Sequence, residues 1–175
     1  MNTSVAERRE PVSRLPDRPA RTPAGDAFSD LVIRIIRIGA LLTAAGDELA
    51  RPTGQTSARW LVMAAVEERP ATVARVARVL GLTRQSVQRV ADLLVDDGLA
   101  DYEDNPGHRR AKLLRLTPGG LRTLRTIQEA QRTWADELGA RMGVADLRRA
   151  TKVLDRLLPV LMEHRHGAGD RRRNG

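Results

Sequence analysis

A chain of 175 residues, 41% of them hydrophobic, is long enough for one domain with a real core and some helical structure attached to it. Its 30 Lys and Arg against 22 acids give a formal charge of +8, which favours a polyanionic partner because bound cations displace counterions condensed on phosphates. The absence of cysteine excludes disulfides, thiolate metal sites and thiol chemistry, and Phe28, Trp60, Tyr102 and Trp134 are too few to offer the rows of aromatic faces on which single strands stack. A duplex partner is favoured, although charge alone does not separate DNA from RNA or anionic lipid.

Residues 1–25 carry five Arg against three acids, with Pro11, Pro16, Pro19 and Pro23 among them, and are expected to form a disordered basic arm. A helix is expected within 26–54, where Leu31, Val32, Ile35, Ile38, Leu42 and Leu49 recur at three- and four-residue steps. Its most apolar stretch, Leu31 to Ala45, is broken by Arg34 and Arg37. An arginine at mid-bilayer costs roughly 2.5 to 3.5 kcal/mol, so a soluble helix in a cytoplasmic protein is expected rather than a membrane span.

Thr56 or Ser57 then caps a core helix carrying Ala58, Leu61, Val62, Ala65 and Val66, which ends before Pro70. Thr72 caps a short helix with Val73, Val76, Ala77 and Leu80 on one face, closed by Gly81. Thr83 caps a third, with Val87, Val90, Ala91 and Leu94 inward and Gly98 at its end. Two helices joined only by Gly81 and Leu82 match a helix-turn-helix. Short β-like runs, Leu99 to Glu103 and Ala111 to Leu116, flank the basic, turn-forming segment from Asp104 to Arg109, and this predicts a hairpin wing. Thr117 and Pro118 open a helix that should run to about Leu138, and a last helix should span Val144 to Glu163. Residues 164–175, with four Arg against one acid, are expected to be a disordered basic tail.

The expected fold is thus mainly α with a small β wing. It is a winged helix-turn-helix lobe over 55–116, flanked by helices within 26–54 and 117–163. Both outer regions carry apolar faces wider than so small a lobe can cover. Mutual burial in a homodimer is the economical solution, and closure of a monomeric bundle is the alternative.

In a helix-turn-helix the second helix enters the major groove and its first residues reach the base edges. Thr83, Arg84, Gln85, Ser86, Gln88 and Arg89 are therefore the candidate readers, since Arg pairs with guanine and Gln with adenine. The same residues would also suit the solvated side of any amphipathic helix. The basic hairpin that follows shifts the balance, because His108, Arg109, Arg110 and Lys112 stand where a wing meets the neighbouring minor groove.

The runs Leu80 to Arg89, Leu94 to Leu99 and Arg109 to Gly120, in that order and spacing, resemble the MarR (multiple antibiotic resistance regulator) family. The resemblance extends in element order over residues 28–163. It implies a homodimer whose first and last helices intertwine, double-stranded DNA with a pseudo-palindromic operator as partner, and control, often as a repressor, by a small molecule such as an aromatic acid. It also implies base or phosphate contacts from Gln85, Ser86, Gln88 and Arg89, with Arg110 as the wing arginine. Many members carry an Asp two places before that arginine; His108 stands there in this chain, which would make the wing contact pH-sensitive.

Arg59, Trp60 and Met63 are candidates for an effector pocket at the junction of lobe and outer helices, with core packing as the competing role of Trp60 and Met63. His164 and His166 fall short of a metal site, having no acid beside them beyond Glu163. Gly119 and Gly120 lack the Lys-Ser/Thr of a phosphate loop. No cofactor and no enzymatic activity are expected. A winged-helix module for protein contacts remains the alternative, supported by Asp92, Asp96, Asp97, Asp101, Glu103 and Asp104.

Overall fold

The computed structural model describes residues 21–108 and 110–171, with side chains through residue 164. Among the described residues, six α-helices and three short strands follow one another as α1 (Pro23–Ala50), α2 (Ser57–Ala65), β1 (Ala71–Thr72), α3 (Val73–Leu80), α4 (Arg84–Asp96), β2 (Ala100–Glu103), β3 (Leu113–Leu116), α5 (Pro118–Met142) and α6 (Val144–Arg171). A 3-10 turn over Arg51–Thr53 follows α1. The chain divides into two compact units between Leu41 and Leu42, inside α1. Among the described residues no helix is long and apolar enough to cross a membrane.

Four threonines start four helices. Thr56, Thr72, Thr83 and Thr117 are each extended in backbone, and each hydroxyl accepts from the N–H three residues on, at 3.3, 3.2, 3.1 and 3.1 Å. A cap of this kind satisfies one of the donors that a helix start leaves unpaired and is worth about 1 kcal/mol. Between α3 and α4 the chain reverses at Gly81, whose φ of 68° lies in the left-handed region, while the Leu82 N–H bonds back to the Ala77 carbonyl at 2.9 Å.

The strands form one antiparallel sheet in the order β1-β3-β2, with Ala71 and Tyr102 both opposite Leu114. The lobe core is made of Val62 and Met63 from α2, Val76 from α3, Val87 and Leu94 from α4, and Leu114 from the sheet, closed by Leu124 of α5. At the entry to α5 the chain is drawn tight. Thr117 donates from its hydroxyl to the Gly98 carbonyl at 2.8 Å, and a Cβ on Gly120 would sit 2.0 Å from the Leu99 carbonyl oxygen. Only glycine fits there.

Several boundaries differ from expectation. Helix α1 begins at Pro23, inside the expected arm, because Thr22 accepts from the Gly25 N–H at 3.1 Å and proline is preorganised for a first helical turn. Strand β1 was not foreseen; two residues are too few to show a period. Helix α5 runs to Met142 rather than Leu138. The backbone of α6 stays helical through Pro159 and on to Arg171, past the expected end at Glu163. The apolar period stops there, yet the helical backbone runs on through Gly167 and Gly169, both poor helix formers, so residues 164–171 of the expected tail are helical. Residues 1–20 of the arm and 172–175 of the tail lie outside the described residues, as do Arg109 and the His166 side chain.

Candidate nucleic-acid interface

Helix α4 turns Val87, Ala91 and Leu94 into the core, and the 3.6-residue period therefore leaves Arg84, Gln85, Ser86 and Arg89 on the exposed side. The side chains of Arg84, Gln85 and Arg89 make no hydrogen bond or ion pair with any other described residue, and together with Gln88 they line one open trough along the helix. Thr83 is the cap of α4, its hydroxyl committed to the Ser86 N–H.

The hairpin between β2 and β3 is shaped by its own sequence. Asn105 Oδ1 accepts from the Gly107 N–H at 3.0 Å, its carbonyl accepts from the His108 N–H at 3.1 Å, and the His108 carbonyl accepts from the Ala111 N–H at 3.0 Å. Asn, Pro and Gly are the residues such a double turn wants. His108, Arg110 and Lys112 are exposed as a result. No described acid pairs with Arg110, consistent with histidine where an aspartate brace would stand.

The two surfaces meet. Arg84 and Gln88 of α4 line the same hollow of about 240 Å³ as Arg110 and Lys112 of the wing, with Tyr102 in its wall and the start of α3 beside it. Three cations around one concavity, at the end of a helix bearing further exposed polar groups, make a surface suited to a polyanion.

Gln88 is placed differently from its neighbours. Its Nε2 donates to Asp92 Oδ1 at 2.8 Å and to Tyr102 Oη at 2.7 Å, and the Tyr102 hydroxyl donates to the same Asp92 oxygen at 2.9 Å. Burial first, then the hydrogen bond and charge of Asp92, push the Tyr102 phenol up to about 12. Nothing in the local pattern around Gln88 signals this partner, which lies 14 residues further along the chain.

Most of the acids that favoured a protein-contact module are used inside the lobe. Asp92 belongs to the triangle, Asp97 pairs with Arg59 at 2.6 Å, and Asp101 and Glu103 both face Arg115, at 3.5 and 3.4 Å. Exposed pairs of this sort add little stability, but they lower the negative potential beside the wing.

Of the residues expected at an effector pocket, Met63 is wholly buried in the core and Trp60 is half-buried against it. Arg59 is 17% exposed, and besides Asp97 it bonds Gln55 Oε1 at 3.3 Å, which links the start of α2 to the residue that ends α4.

The model described as MarR family matches residues 53–111, from the entry to α2 through the wing. An uncharacterized protein of Mycobacterium tuberculosis is 38% identical over 140 residues, covering 80% of this chain and 98% of the relative. Among solved structures, that of the M. tuberculosis transcriptional regulator MOSR in complex with DNA superposes with a TM-score of 0.63 at 23% identity, over 74% of this chain and 96% of that one. The structure of CouR from Rhodococcus jostii bound to p-coumaroyl-CoA does so with a TM-score of 0.67 at 20% identity, over 73% of this chain and 91% of that one. Matched to the family through its winged helix-turn-helix lobe, and 38% identical to a relative over 80% of its length, this chain belongs to the MarR family and has the fold of its transcription regulators.

Proposed function

We propose that the chain is a homodimeric, sequence-specific repressor that binds duplex DNA at a pseudo-palindromic operator and responds to a small-molecule effector. The observation that carries the reading is the shared hollow of Arg84, Gln88, Arg110 and Lys112, which supports simultaneous contact with a major groove and the backbone beside it. Arg84, Gln85, Ser86, Gln88 and Arg89 are the readers. His108, Arg110 and Lys112, with Arg109 outside the described residues, are the wing contacts, and Thr83 serves as the cap that aims the helix.

The dimer reading rests on exposed apolar side chains in each outer region: Ile33, Ile36, Ile38 and Leu41 on α1, and Leu147, Leu154, Leu158 and Leu161 on α6. A second copy covers these faces and sets the two recognition helices about 34 to 36 Å apart, one turn of duplex. An acidic effector, such as an aromatic acid, acts at Arg59 by exchanging its carboxylate for that of Asp97. This alters the support of α4 and hence that spacing.

Titrating the protein against operator duplexes selected from its genome, between 50 and 200 mM salt, tests the reading. Log affinity should fall linearly with log salt, with a slope of about −0.9 for each phosphate contact. Arg89→Ala and Gln85→Ala should relax base preference while leaving that slope nearly intact. A flat salt response would overturn DNA binding and leave the protein-contact module in its place.

A further inference from the structure

The triangle of Gln88, Asp92 and Tyr102 constrains what Gln88 can read. The orientation of its amide is forced, because reversing it would set a carbonyl oxygen against the Asp92 carboxylate and give the Tyr102 oxygen no donor to accept from. A glutamine amide has two N–H groups, and here one goes to each partner. Oε1 is left with no partner among the described residues. No side chain there that is half-buried or deeper hides a polar atom without a hydrogen bond, so Oε1 opens to solvent. It does so on a residue lining both the α4 trough and the hollow under the wing.

A free glutamine reads adenine with two bonds, accepting from N6 and donating to N7. Gln88 has no N–H left for the second bond. Resting on the DNA-binding reading above, we propose that Gln88 is an acceptor-only reader, held by Asp92 and Tyr102 as positioning residues, which selects adenine and cytosine alike over guanine and thymine. In the major groove only those two bases offer an amino donor, N6 of adenine and N4 of cytosine. Because Tyr102 comes from β2 and Asp92 from α4, the triangle also fixes the reader relative to the wing strand. The high phenol pKa keeps Tyr102 protonated, and so a donor to Asp92, throughout the range in which duplexes are stable.

Selection from randomised duplexes, scored by sequencing at the position whose preference Gln88→Ala abolishes, reads the proposal directly. In the parent protein adenine and cytosine should be enriched to within about twofold of each other and about fivefold over guanine and thymine, as one hydrogen bond allows. The double variant Asp92→Ala, Tyr102→Phe frees the amide for bidentate pairing, and adenine should then exceed cytosine by about tenfold. Losing the Asp92 charge strengthens binding to every sequence equally, so the adenine-to-cytosine ratio is insensitive to it. A parent protein that already prefers adenine tenfold, or a double variant with an unchanged ratio, would overturn the inference while leaving DNA binding intact. Failure of the parent protein to bind duplex in a salt-dependent way would instead remove the reading on which it rests.

A second measurement needs no DNA. Tyr102 is the single tyrosine of the chain, so an ultraviolet titration reports it alone. Its midpoint should fall toward 10 in Asp92→Asn while circular dichroism shows an unchanged fold, and an unmoved midpoint would mean that the triangle does not form.

Discussion

Leu94, Leu114 and Leu124 are wholly buried within the lobe, whereas Leu154, Leu158 and Leu161 on α6 are 46, 61 and 46% exposed. The same residue type has opposite surroundings in two parts of one chain. In the lobe, three helices, a three-stranded sheet and the first turns of α5 enclose a core with no help from outside. Among the described side chains of α6, Leu157 is half-buried and the rest are exposed. An apolar stripe read from sequence therefore states that a face must be covered, not which surface covers it. The lobe supplies its own cover, and for α6 the cover proposed above is a second copy of the chain.

The largest effect should come from attacking the uncovered face. Fully burying a leucine is worth roughly 1.5 to 3 kcal/mol, and a charge in its place must be desolvated as well. Leu154→Glu together with Leu161→Glu, seven residues apart on one stripe, should therefore convert the proposed dimer to a monomer of 19.3 kDa in sedimentation. The thermal midpoint of that variant should no longer rise with protein concentration, and operator affinity should fall by about a hundredfold as the two half-sites lose their linkage. An intact dimer would place the interface elsewhere.

The matching attack on the self-sufficient region is Gly120→Ala. Its methyl would lie 2.0 Å from the Leu99 carbonyl oxygen, so backbone must shift at the junction of sheet and α5. Overpacking of this kind costs about 1 to 3 kcal/mol. The loss should appear as a lower urea midpoint in both the parent protein and the Leu154, Leu161 variant. A concentration-dependent loss would mean that the lobe and the dimer are not energetically separate.

The same contrast explains how far the sequence could be read. The starts of α2, α3, α4 and α5 were legible because a cap is local: each threonine lies three residues from the N–H that it serves. The turn at Gly81 and the Asn105-Pro106-Gly107 tip were legible for the same reason. The ends of the two long helices α5 and α6 were not. Neither α5 nor α6 stops where its apolar period stops, and Pro159 is accommodated inside α6 at the loss of one backbone bond. Within the candidate interface, local order exposed Arg84, Gln85 and Arg89 but not the fate of Gln88. Its partner Tyr102 lies 14 residues away, and Arg59 reaches Asp97 across 38. Side-chain pairs of that separation depend on how the elements pack, and no single-residue pattern encodes them.

The smallest effect sharpens the comparison where α1 meets the lobe. Asp47 accepts from the Ser57 N–H at 2.7 Å, so a carboxylate on α1 satisfies a donor at the start of α2 beside the Thr56 cap. This bond to the Ser57 backbone, and then one to its side chain, hold the Asp47 carboxyl below its ordinary 3.8. A lowered folded-state pKa means that the unfolded chain takes up the proton first as pH falls. The contribution of Asp47 is then complete above about 3.8 and is lost as pH drops through the lower folded value. Asp47→Asn keeps an oxygen for the Ser57 N–H but cannot titrate, so the gap in urea midpoint between it and the parent should narrow as pH is lowered from 5 toward 2.5. Asp47→Ala, which also loses the oxygen, should lie below Asp47→Asn at every pH. A gap that stays constant across that range would mean that the charge of Asp47 adds nothing to its hydrogen bond.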